Sequence, residues 1–357
     1  MLRKKKPRRL VDTRRMTAQD VAREIGVSAM TVSRAMNNRK NVDAATRKRV
    51  IEAARRLGYS PNHIAKSLVL KKTDTIGVVV PEITHSFFPE AIRGIEEVTY
   101  RSGYHLILTH SAEDAKKERD AIRTLVSKRV DGILISTAQT VEDYGEYRQA
   151  IKLGMPIVFF DRVVTGLGVT CVGIDDMESA QRITEHLIGH GYDRIAHLSG
   201  PTKVSIGKAR LEGFKKAMKE HGLPLVPDLI VESGFHESGG YAAMKRLLNL
   251  PPTRRPRAVV AVNDPAAFGA IKAIQEVGLR IPDDIAIVGF SDDIRAPLMS
   301  TPLTTVRQPA YEVGKRAAQE LLDQIQGKPR KGECITVKTE QVLRRSCGCR
   351  GADVGSS

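Results

Sequence analysis

The sequence predicts an α/β protein in which a small all-α head precedes a larger, two-lobed body built on parallel β-sheets. Charge is segregated, since residues 1–72 carry 20 Lys and Arg against 5 Asp and Glu, whereas the remaining residues carry 37 against 36. Apolar residues recur at helical spacing within 17–59, and strand-like apolar runs alternate with amphipathic segments after Thr75. The 357 residues, 41% of them hydrophobic, allow two or three domains with sizeable cores.

The head pattern predicts three short helices, each preceded by a polar N-cap. Thr17 and Asp20 form a capping-box pattern, Ser28 suits the start of a second helix, and Asp43 suits the start of a third. Gly26 can supply a left-handed turn between the first two helices, which is the helix-turn-helix pattern. Helices this short do not persist alone in water, so we expect them to share one apolar core. Its predicted members are Val21, Ala22, Ile25, Val27, Val32, Ala35 or Met36, Val50, Ile51, Ala54 and Leu57.

The outward face of the second helix is predicted to contact DNA. In a helix-turn-helix, the N-terminal residues of the second helix meet base edges in the major groove. Arg34 can donate two hydrogen bonds to guanine, and Ala29 and Met30 can touch a thymine methyl group. Polar side chains around this face can bond phosphates, which position a protein without reading sequence. These are Thr17, Thr31, Ser33 and Asn37. The alternative is a helical bundle with a solvated basic face.

Two further segments of the basic region are predicted to matter for DNA. A helix of about two turns begins at Ser60-Pro61, and Ala65 and Leu68 share one of its faces. The arm of residues 1–16 contains eight Lys and Arg, and we expect it to be disordered and to add nonspecific attraction to phosphates. A start codon placed too early is the alternative explanation of residues 1–15.

Eight apolar runs in the body are predicted strands. Near-continuous apolar strands that alternate with helices indicate parallel sheets, and their number over about 270 residues suits two doubly wound halves. We expect one half to begin with 75–161 and the other with 163–306. A helix at 311–326 and a strand near 335–344 should then return to one half each, with crossovers near residues 162, 307 and 330. The eight runs are TIGVVVP, YHLILTH, DGILIS, PIVFFD, VTCVGID, RIAHLSG, AVVAVND and IAIVGFSD.

Several of these segments together resemble the lac repressor / galactose repressor family of transcription regulators. The resemblance rests on TAQDVAREIGVSAMTVSRAMN, AARRLGYSPNHIAKSL and the body strands, in the same order, over roughly residues 17–347. It implies a helix-turn-helix domain at 17–59, a hinge helix and linker at 60–72, an effector-binding and dimerisation domain at 73–347 with a periplasmic-binding-protein-like fold, and a tail at 348–357. It also implies that Ala29, Met30 and Arg34 read bases. Asn62, Ala65 and Leu68 would belong to the hinge, with Leu68 as a minor-groove wedge.

The carboxyl ends of the predicted strands are the expected place for a ligand, since open α/β sheets bind ligands there. An aromatic plate with carboxylate, amide and guanidinium groups suits a polyhydroxylated ligand, because each hydroxyl both donates and accepts hydrogen bonds. The resemblance implies that the effector contacts are Phe87, Asp161, Arg162, Arg210, Asn263 and Ser291 or Asp292. Helix capping is the alternative for strand-end polar residues, and it is the interpretation favoured for Asp176 and Asp264.

Two positions depart from the family pattern and leave the identity of the ligand open. Ser291 stands where sugar-binding relatives often have Asp, and Ile206 stands where some relatives place a hydroxyl. The prediction is therefore a transcription regulator, most simply a repressor, whose affinity for a pseudo-palindromic DNA operator is controlled by a small-molecule effector, most simply a sugar. A homodimer is expected, and no cofactor is. The alternatives are a sugar-metabolising enzyme with a DNA-binding head and a nonspecific architectural DNA protein.

Catalytic, metal and membrane functions have weaker support in the sequence. Adjacent carboxylates such as Asp175-Asp176 and Asp292-Asp293 point to opposite sides of a strand end and do not face each other. His186 and His190 can share a helix face and Cys347-Gly348-Cys349 can bind metal, but we favour surface histidines and incidental thiols, because neither pair carries the rest of a known motif. No apolar run approaches the roughly 20 residues that span a bilayer, and no apolar stretch follows the basic start, so a cytoplasmic location is expected.

Overall fold

The computed structural model describes residues 16–37, 41–60, 72–139, 143–329 and 332–349. The chain divides into two compact units, residues 1–73 and residues 74–357. Each unit has a hydrophobic core of its own, one small cluster in the first and four larger clusters in the second. The predicted residues of the hinge, Asn62, Ala65 and Leu68, lie outside the described residues.

The head contains three helices, α1 (Ala18–Ile25), α2 (Ala29–Met36) and α3 (Ala44–Arg56), as predicted. All three N-caps are confirmed. The amide of Asp20 donates to the Thr17 hydroxyl and the Asp20 carboxylate accepts from the Thr17 amide, while Ser28 and Asp43 accept from the amides three residues on at 3.0 and 2.8 Å. Gly26 ends α1 with φ of 70°, the left-handed conformation that favours glycine.

The core of the head lies between the three helices. Val21, Val32 and Val50 are fully buried, and removing each from water contributes about 1.5–3 kcal/mol. The predicted core is confirmed for these residues and for Ala22, Ala35 and Ala54. It was wrong for Ile51, which is only half-buried and lies outside the cluster, because α3 turns Ala53 inward instead.

The described residues of the body form two parallel sheets and one short antiparallel pair. The strands of the first sheet are β1 (Thr75–Val80), β2 (His105–His110), β3 (Gly132–Ile135), β4 (Ile157–Phe160), β5 (Cys171–Gly173) and β11 (Cys334–Thr336). The others are β6 (Ile195–Ser199), β7 (Ile230–Glu232), β8 (Ala258–Ala261), β9 (Ala286–Val288), β10 (Thr305–Arg307) and β12 (Glu340–Val342). In the first sheet the strand order is β11-β5-β4-β3-β1-β2, and in the second it is β7-β6-β8-β9, while β10 pairs with β12.

Helices cover both sheets, so each lobe is a sandwich of helix, sheet and helix. The helices of the first lobe are α4 (Phe87–Arg101), α5 (Ala115–Ser127) and α6 (Gly145–Lys152), and those of the second are α7 (Asp176–Gly189), α8 (Ser205–Glu220), α9 (Glu237–Leu248) and α10 (Asp264–Glu276). The last helix, α11 (Ala310–Ile325), returns to the first lobe and packs closely on α4. A Cβ on Gly94 would lie 2.1 Å from the Tyr311 carbonyl oxygen, so this close approach requires glycine.

All eight predicted strands contain an observed strand, but the division between the lobes was wrong in two places. Strand β5 belongs to the first sheet, beside β4, and not to the second half of the body. The terminal segment forms two strands, of which β11 joins the first sheet and β12 pairs with β10. Cys171 and Cys334 are partners in the β5–β11 register and form a disulfide, which the sequence analysis did not predict.

Candidate DNA-binding face and effector pocket

The outward face of α2 presents the residues that were predicted to read bases. Met30 has 61% of its surface exposed, so its side chain is free to contact a partner. Arg34 is exposed as well, one turn further along the helix. Ala29 is half-buried and packs against the core of the head, so its methyl group is shared between the core and this face. Met30 and Arg34 are therefore the long side chains that can reach a groove.

Three of the four predicted phosphate ligands form hydrogen bonds within the head. The Thr17 hydroxyl donates to the Asp20 carboxylate at 2.7 Å, so its single proton is already committed. The hydroxyls of Thr31 and Ser28 lie 2.9 Å apart, and the Asn37 amide donates to the Ser33 carbonyl at 2.7 Å. Asn37 keeps a second amide hydrogen, and Ser33 is exposed. These contacts orient the side chains before any ligand is present.

A pocket lies at the carboxyl ends of the strands, where residues from both lobes meet. Six predicted effector residues, Phe87, Asp161, Arg162, Arg210, Asn263 and Ser291, all line it. Ile206, which the sequence marked as a departure from the family pattern, lines the pocket as well. The remaining lining residues were not predicted, and they are His85, Ser86, Phe88, Phe235, Pro265, Asp293 and Gln308. Phe235 was missed because it follows β7, a strand of three residues that leaves almost no periodic signal.

The first lobe contributes Asp161 and Arg162, which follow β4. One terminal nitrogen of Arg162 donates to both carboxylate oxygens of Glu113, at 2.7 and 2.9 Å, and the guanidinium carbon lies 4.4 Å from the centroid of Phe235. Its Nε is buried and has no hydrogen-bond acceptor among the described residues. Burial raises the pKa of Asp161 to about 6, although the charges of Arg162 and Arg210 act in the opposite direction.

The second lobe contributes Arg210, a buried arginine on α8. Its Nε donates to Asp176 at 2.8 Å, a terminal nitrogen donates to the Val262 carbonyl at 2.6 Å, and the guanidinium carbon lies 3.7 Å from the centroid of Phe290. Burial raises the pKa of Asp176, and the charge and hydrogen bond of Arg210 oppose that rise. The interpretation of Asp176 as a helix cap was wrong, because Asp175 caps α7 and Asp176 holds Arg210.

Asn263 has the capping role that the sequence suggested for Asp264, and the prediction of Asp264 as a helix cap was wrong. Asn263 caps α10, since its side-chain oxygen accepts from the Ala266 amide at 3.0 Å, yet it also lines the pocket. Asp264 is buried and caps no helix. It accepts from the Thr305 hydroxyl and the Asp293 amide, both at 2.7 Å, and burial raises its pKa to about 7. Asp264 therefore supports the loop that follows β9.

Asp292 was predicted as an alternative to Ser291, and the structure shows that it does not line the pocket. Ser291 and Asp292 both have positive φ, 129° and 57°, so the backbone turns sharply after β9. The Asp292 carboxylate accepts from Arg307 at 2.8 Å and from Arg344 at 2.7 Å. Asp293 lines the pocket instead, and its carboxylate accepts from the hydroxyl of Ser86 in the other lobe at 3.0 Å.

Two family models match the chain, and their boundaries follow the two units. The model for bacterial regulatory proteins of the lacI family matches residues 17–62. The model for periplasmic binding proteins and the sugar-binding domain of the LacI family matches residues 73–343. The chain belongs to the LacI family of bacterial regulators. It is therefore a DNA-binding transcription regulator of the kind that small-molecule effectors control.

Individual LacI-family proteins resemble this chain over almost its whole length. The HTH-type transcriptional repressor PurR of Pasteurella multocida (strain Pm70) is 36% identical, and the match covers 94% of this chain and 99% of that protein. Among solved structures, the lac repressor dimer bound to operator and the anti-inducer ONPF superimposes with a TM-score of 0.82 at 27% identity, covering 94% and 99%. The CelR–cellobiose complex gives 0.72 at 29% identity, covering 93% and 100%.

The described residues of this LacI-family protein contain no helix that is both long and apolar enough to cross a membrane.

A group of side chains at the pocket has metal-binding chemistry. Ligand atoms of His85, His236 and Glu237 lie within 4.8 Å of one another. Glu237 also accepts from Arg295 at 2.9 Å, and burial lowers the pKa of His85. The bound arginine makes an ion pair the simpler role for this carboxylate.

Proposed function

We propose that the protein is a repressor whose effector is a sugar bound in the pocket between the lobes. The observation that carries the proposal is the convergence of hydrogen-bond donors, hydrogen-bond acceptors and aromatic side chains on one pocket. Asp161 supplies acceptors, and the amide of Asn263 supplies both kinds of group. The buried Nε of Arg162 donates no hydrogen bond among the described residues, since the Asp161 carboxylate is 3.9 Å away, and such a donor costs about 1–3 kcal/mol unless a ligand satisfies it.

The aromatic side chains supply the other half of a sugar site. Phe87, Phe88 and Phe235 line the pocket, and apolar ring faces suit the hydrogen-bearing faces of a sugar ring. The name of the CelR–cellobiose complex, which shares the fold over nearly the whole chain, supports the same ligand class. We assign stacking to Phe87 and hydrogen bonding to Asp161, Arg162, Arg210, Asn263 and Ser291, and we add Asp293 in place of Asp292.

A thermal-shift screen of the full-length protein tests the ligand class. Sugars and nucleobases would be compared at equal concentrations, and a sugar present at 100 times its Kd should stabilise the body by about 2.7 kcal/mol. Asp161→Asn should abolish that shift, whereas Asp120→Asn on the exposed face of α5 should not. A shift produced by nucleobases and by none of the sugars would contradict the proposal, and turnover of a sugar would show an enzyme instead.

We further propose that the regulator works as a homodimer on a pseudo-palindromic operator. A single head of three short helices buries little DNA surface, and heads of this type bind two half-sites through two-fold symmetry. The body has exposed apolar side chains that a partner can cover, among them Tyr100 on α4, Ile294 and Leu298, which are 67%, 75% and 78% exposed. Sedimentation should give a dimer at micromolar concentration. A protein that sediments as a monomer both alone and when bound to its operator would contradict this.

The domain limits and the coupling are also part of the proposal. We place the DNA-binding domain at 17–59, the hinge at 60–72 and the effector and dimerisation domain at 73–347. The effector changes the angle between the lobes and with it the spacing of the two hinges in a dimer, so it shifts DNA affinity only by its differential affinity for the two arrangements. Since the target is DNA in the cell, we place the protein in the cytoplasm. Amide exchange of residues 60–69 with and without operator tests the coupling.

A further inference from the structure

Four potential metal ligands from distant parts of the chain meet on the second lobe. His186 and His190 lie one turn apart near the end of α7, and Cys347 and Cys349 lie on the terminal segment after β12. His186 and Cys347 are separated by 161 positions in the sequence. The ligand atoms of all four side chains lie within 4.8 Å of one another. No known sequence motif contains both pairs, because they lie far apart in the sequence and only the fold brings them together.

Four of the distances between the ligand atoms come close to those of a tetrahedral site, and the other two are below 4.8 Å. His186 Nε2 lies 3.3 Å from Cys347 Sγ and 3.6 Å from Cys349 Sγ, His190 Nε2 lies 3.4 Å from Cys349 Sγ, and the two sulfurs are 3.3 Å apart. With zinc bonds of about 2.3 Å to sulfur and about 2.05 Å to nitrogen, tetrahedral angles put N and S about 3.5 Å apart and two S about 3.8 Å apart. Among these four distances, the one between the two sulfurs departs most from the tetrahedral value, by about 0.5 Å.

The surroundings hold the two cysteines in place. The Ser346 hydroxyl donates to the Ile287 carbonyl of β9 at 2.6 Å and accepts from the Thr304 amide at 2.8 Å, which fixes the chain next to Cys347. Gly348 has φ of 101°, and this left-handed turn points the cysteines on either side of it toward the same place. The Thr304 hydroxyl lies 3.1 Å from Cys347 Sγ and 3.0 Å from the Arg344 carbonyl oxygen, so its single proton can turn to a Cys347 thiolate.

The charge of a metal complex also suits this location. Cys347 and Cys349 are 0% and 6% exposed and belong to the apolar cluster that includes Ile183, Leu187 and Phe290. A divalent ion with two thiolates and two neutral imidazoles has no net charge, so it avoids the large penalty for a buried charge. Two sulfur and two nitrogen ligands at tetrahedral spacing favour Zn²⁺ over the oxygen-seeking Mg²⁺ and Ca²⁺.

We propose that His186, His190, Cys347 and Cys349 form a structural Zn²⁺ site that fastens the C-terminal segment to α7. All four positions are filled by protein ligands, so the site leaves none open for a substrate, which is the pattern of structural zinc. Binding displaces the two thiol protons to solvent, and apparent affinity therefore falls as the pH is lowered. This assignment replaces the sequence-based interpretation of surface histidines and incidental thiols.

Metal analysis of the full-length protein tests the proposal. Protein purified under reducing conditions with Zn²⁺ and then gel-filtered should retain about one Zn²⁺ per chain. Co²⁺ in its place should show the intense visible bands of a tetrahedral ion together with thiolate-to-metal charge transfer. Removing Zn²⁺ with a chelator should lower the melting temperature of the body, and adding Zn²⁺ should restore it.

Variants separate a built site from adventitious binding. His190→Ala, at an exposed position, should fold normally and lose the metal, and Cys349→Ser should remove the charge-transfer band. His221→Ala and the double variant Cys171→Ser with Cys334→Ser are controls that should each retain one Zn²⁺. The proposal is overturned if wild-type protein holds no more Zn²⁺ than His190→Ala. An octahedral Co²⁺ spectrum, or a quantitative Cys347–Cys349 disulfide in metal-free protein from cells, would overturn it equally.

Discussion

Replacing Arg210 by alanine should remove both an effector contact and the partner of a carboxylate in the second lobe. Arg210 is 2% exposed, and its guanidinium is the cationic partner of the buried Asp176 carboxylate, at 2.7 Å. Arg210→Ala leaves that carboxylate buried and unpaired, which costs about 3–5 kcal/mol of unfolding free energy. For a body of this size, the melting temperature should fall by on the order of 10 °C. The variant should also lose its response to the effector.

The pH dependence of the loss identifies its cause. Burial already raises the pKa of Asp176, and removing Arg210 removes the charge that opposes the rise. A carboxyl group whose folded pKa exceeds its unfolded value is protonated more readily in the folded state, so stability falls as the pH rises through the folded pKa. The Arg210→Ala defect should therefore be larger at pH 8 than at pH 5, as measured by thermal unfolding without effector.

The double variant Arg210→Met with Asp176→Asn provides the control. It leaves no unpaired charge, so most of the lost stability should return. The response to the effector should not return, because no guanidinium is present to bind it. If Arg210→Ala is as stable as the wild type at pH 8, the ion-pair argument is refuted. If the double variant binds the sugar with unchanged affinity, Arg210 is not an effector contact.

Three further predictions concern single residues. Asp161→Asn should stabilise the effector-free protein by up to about 3 kcal/mol at pH 8, since burial raises the pKa of Asp161 to about 6. This gain in unfolding free energy over the wild type should fade as the pH falls from 6 to 4. A difference between the two proteins that does not change with pH would contradict this. Arg34→Ala should cost about 1–3 kcal/mol of binding free energy on the operator and relax the sequence specificity at one base pair, as measured by binding assays on operator variants. An equal loss of binding free energy on random DNA would show that Arg34 contacts only a phosphate. Leu68→Ala should remove the DNA bend and much of the affinity for the specific operator, yet keep nonspecific DNA binding and effector binding. The bend can be measured by energy transfer between dyes at the two ends of the operator DNA, and an unchanged bend would exclude Leu68 as the wedge.

Local chemistry made the head predictable from its sequence. A cap needs only a hydroxyl or carboxylate two or three residues before the amides that it accepts from, so Thr17, Ser28 and Asp43 could be assigned without a fold. Strands β1, β3, β4 and β8 were predictable for the same reason, because an apolar run that is buried on both faces is a local pattern. The location of the pocket followed, since parallel strands bring their carboxyl ends to one edge.

Decisions between neighbouring residues required the tertiary structure. Ser291, Asp292 and Asp293 all follow the β9 segment, and the sequence does not show which of them faces the pocket. Two successive positive φ values direct Asp293 into the pocket, while Asp292 binds Arg307 and Arg344. Strand β5 is three residues long, too short to carry a preference for one sheet, and its pairing with β4 and β11 assigns it to the first lobe.

The sequence by itself determined the architecture, the three helices of the head and the place of the pocket, because each depends on contacts between residues close along the chain or on the general geometry of parallel sheets. Only the tertiary structure could bring His186 and His190 to Cys347 and Cys349 or pair Arg210 with Asp176. Those contacts join segments that are far apart in the sequence, and their geometry depends on how helices pack on a sheet. Neither the periodicity nor the composition of the sequence indicates that packing, so the residues that meet there can be identified only from the folded structure.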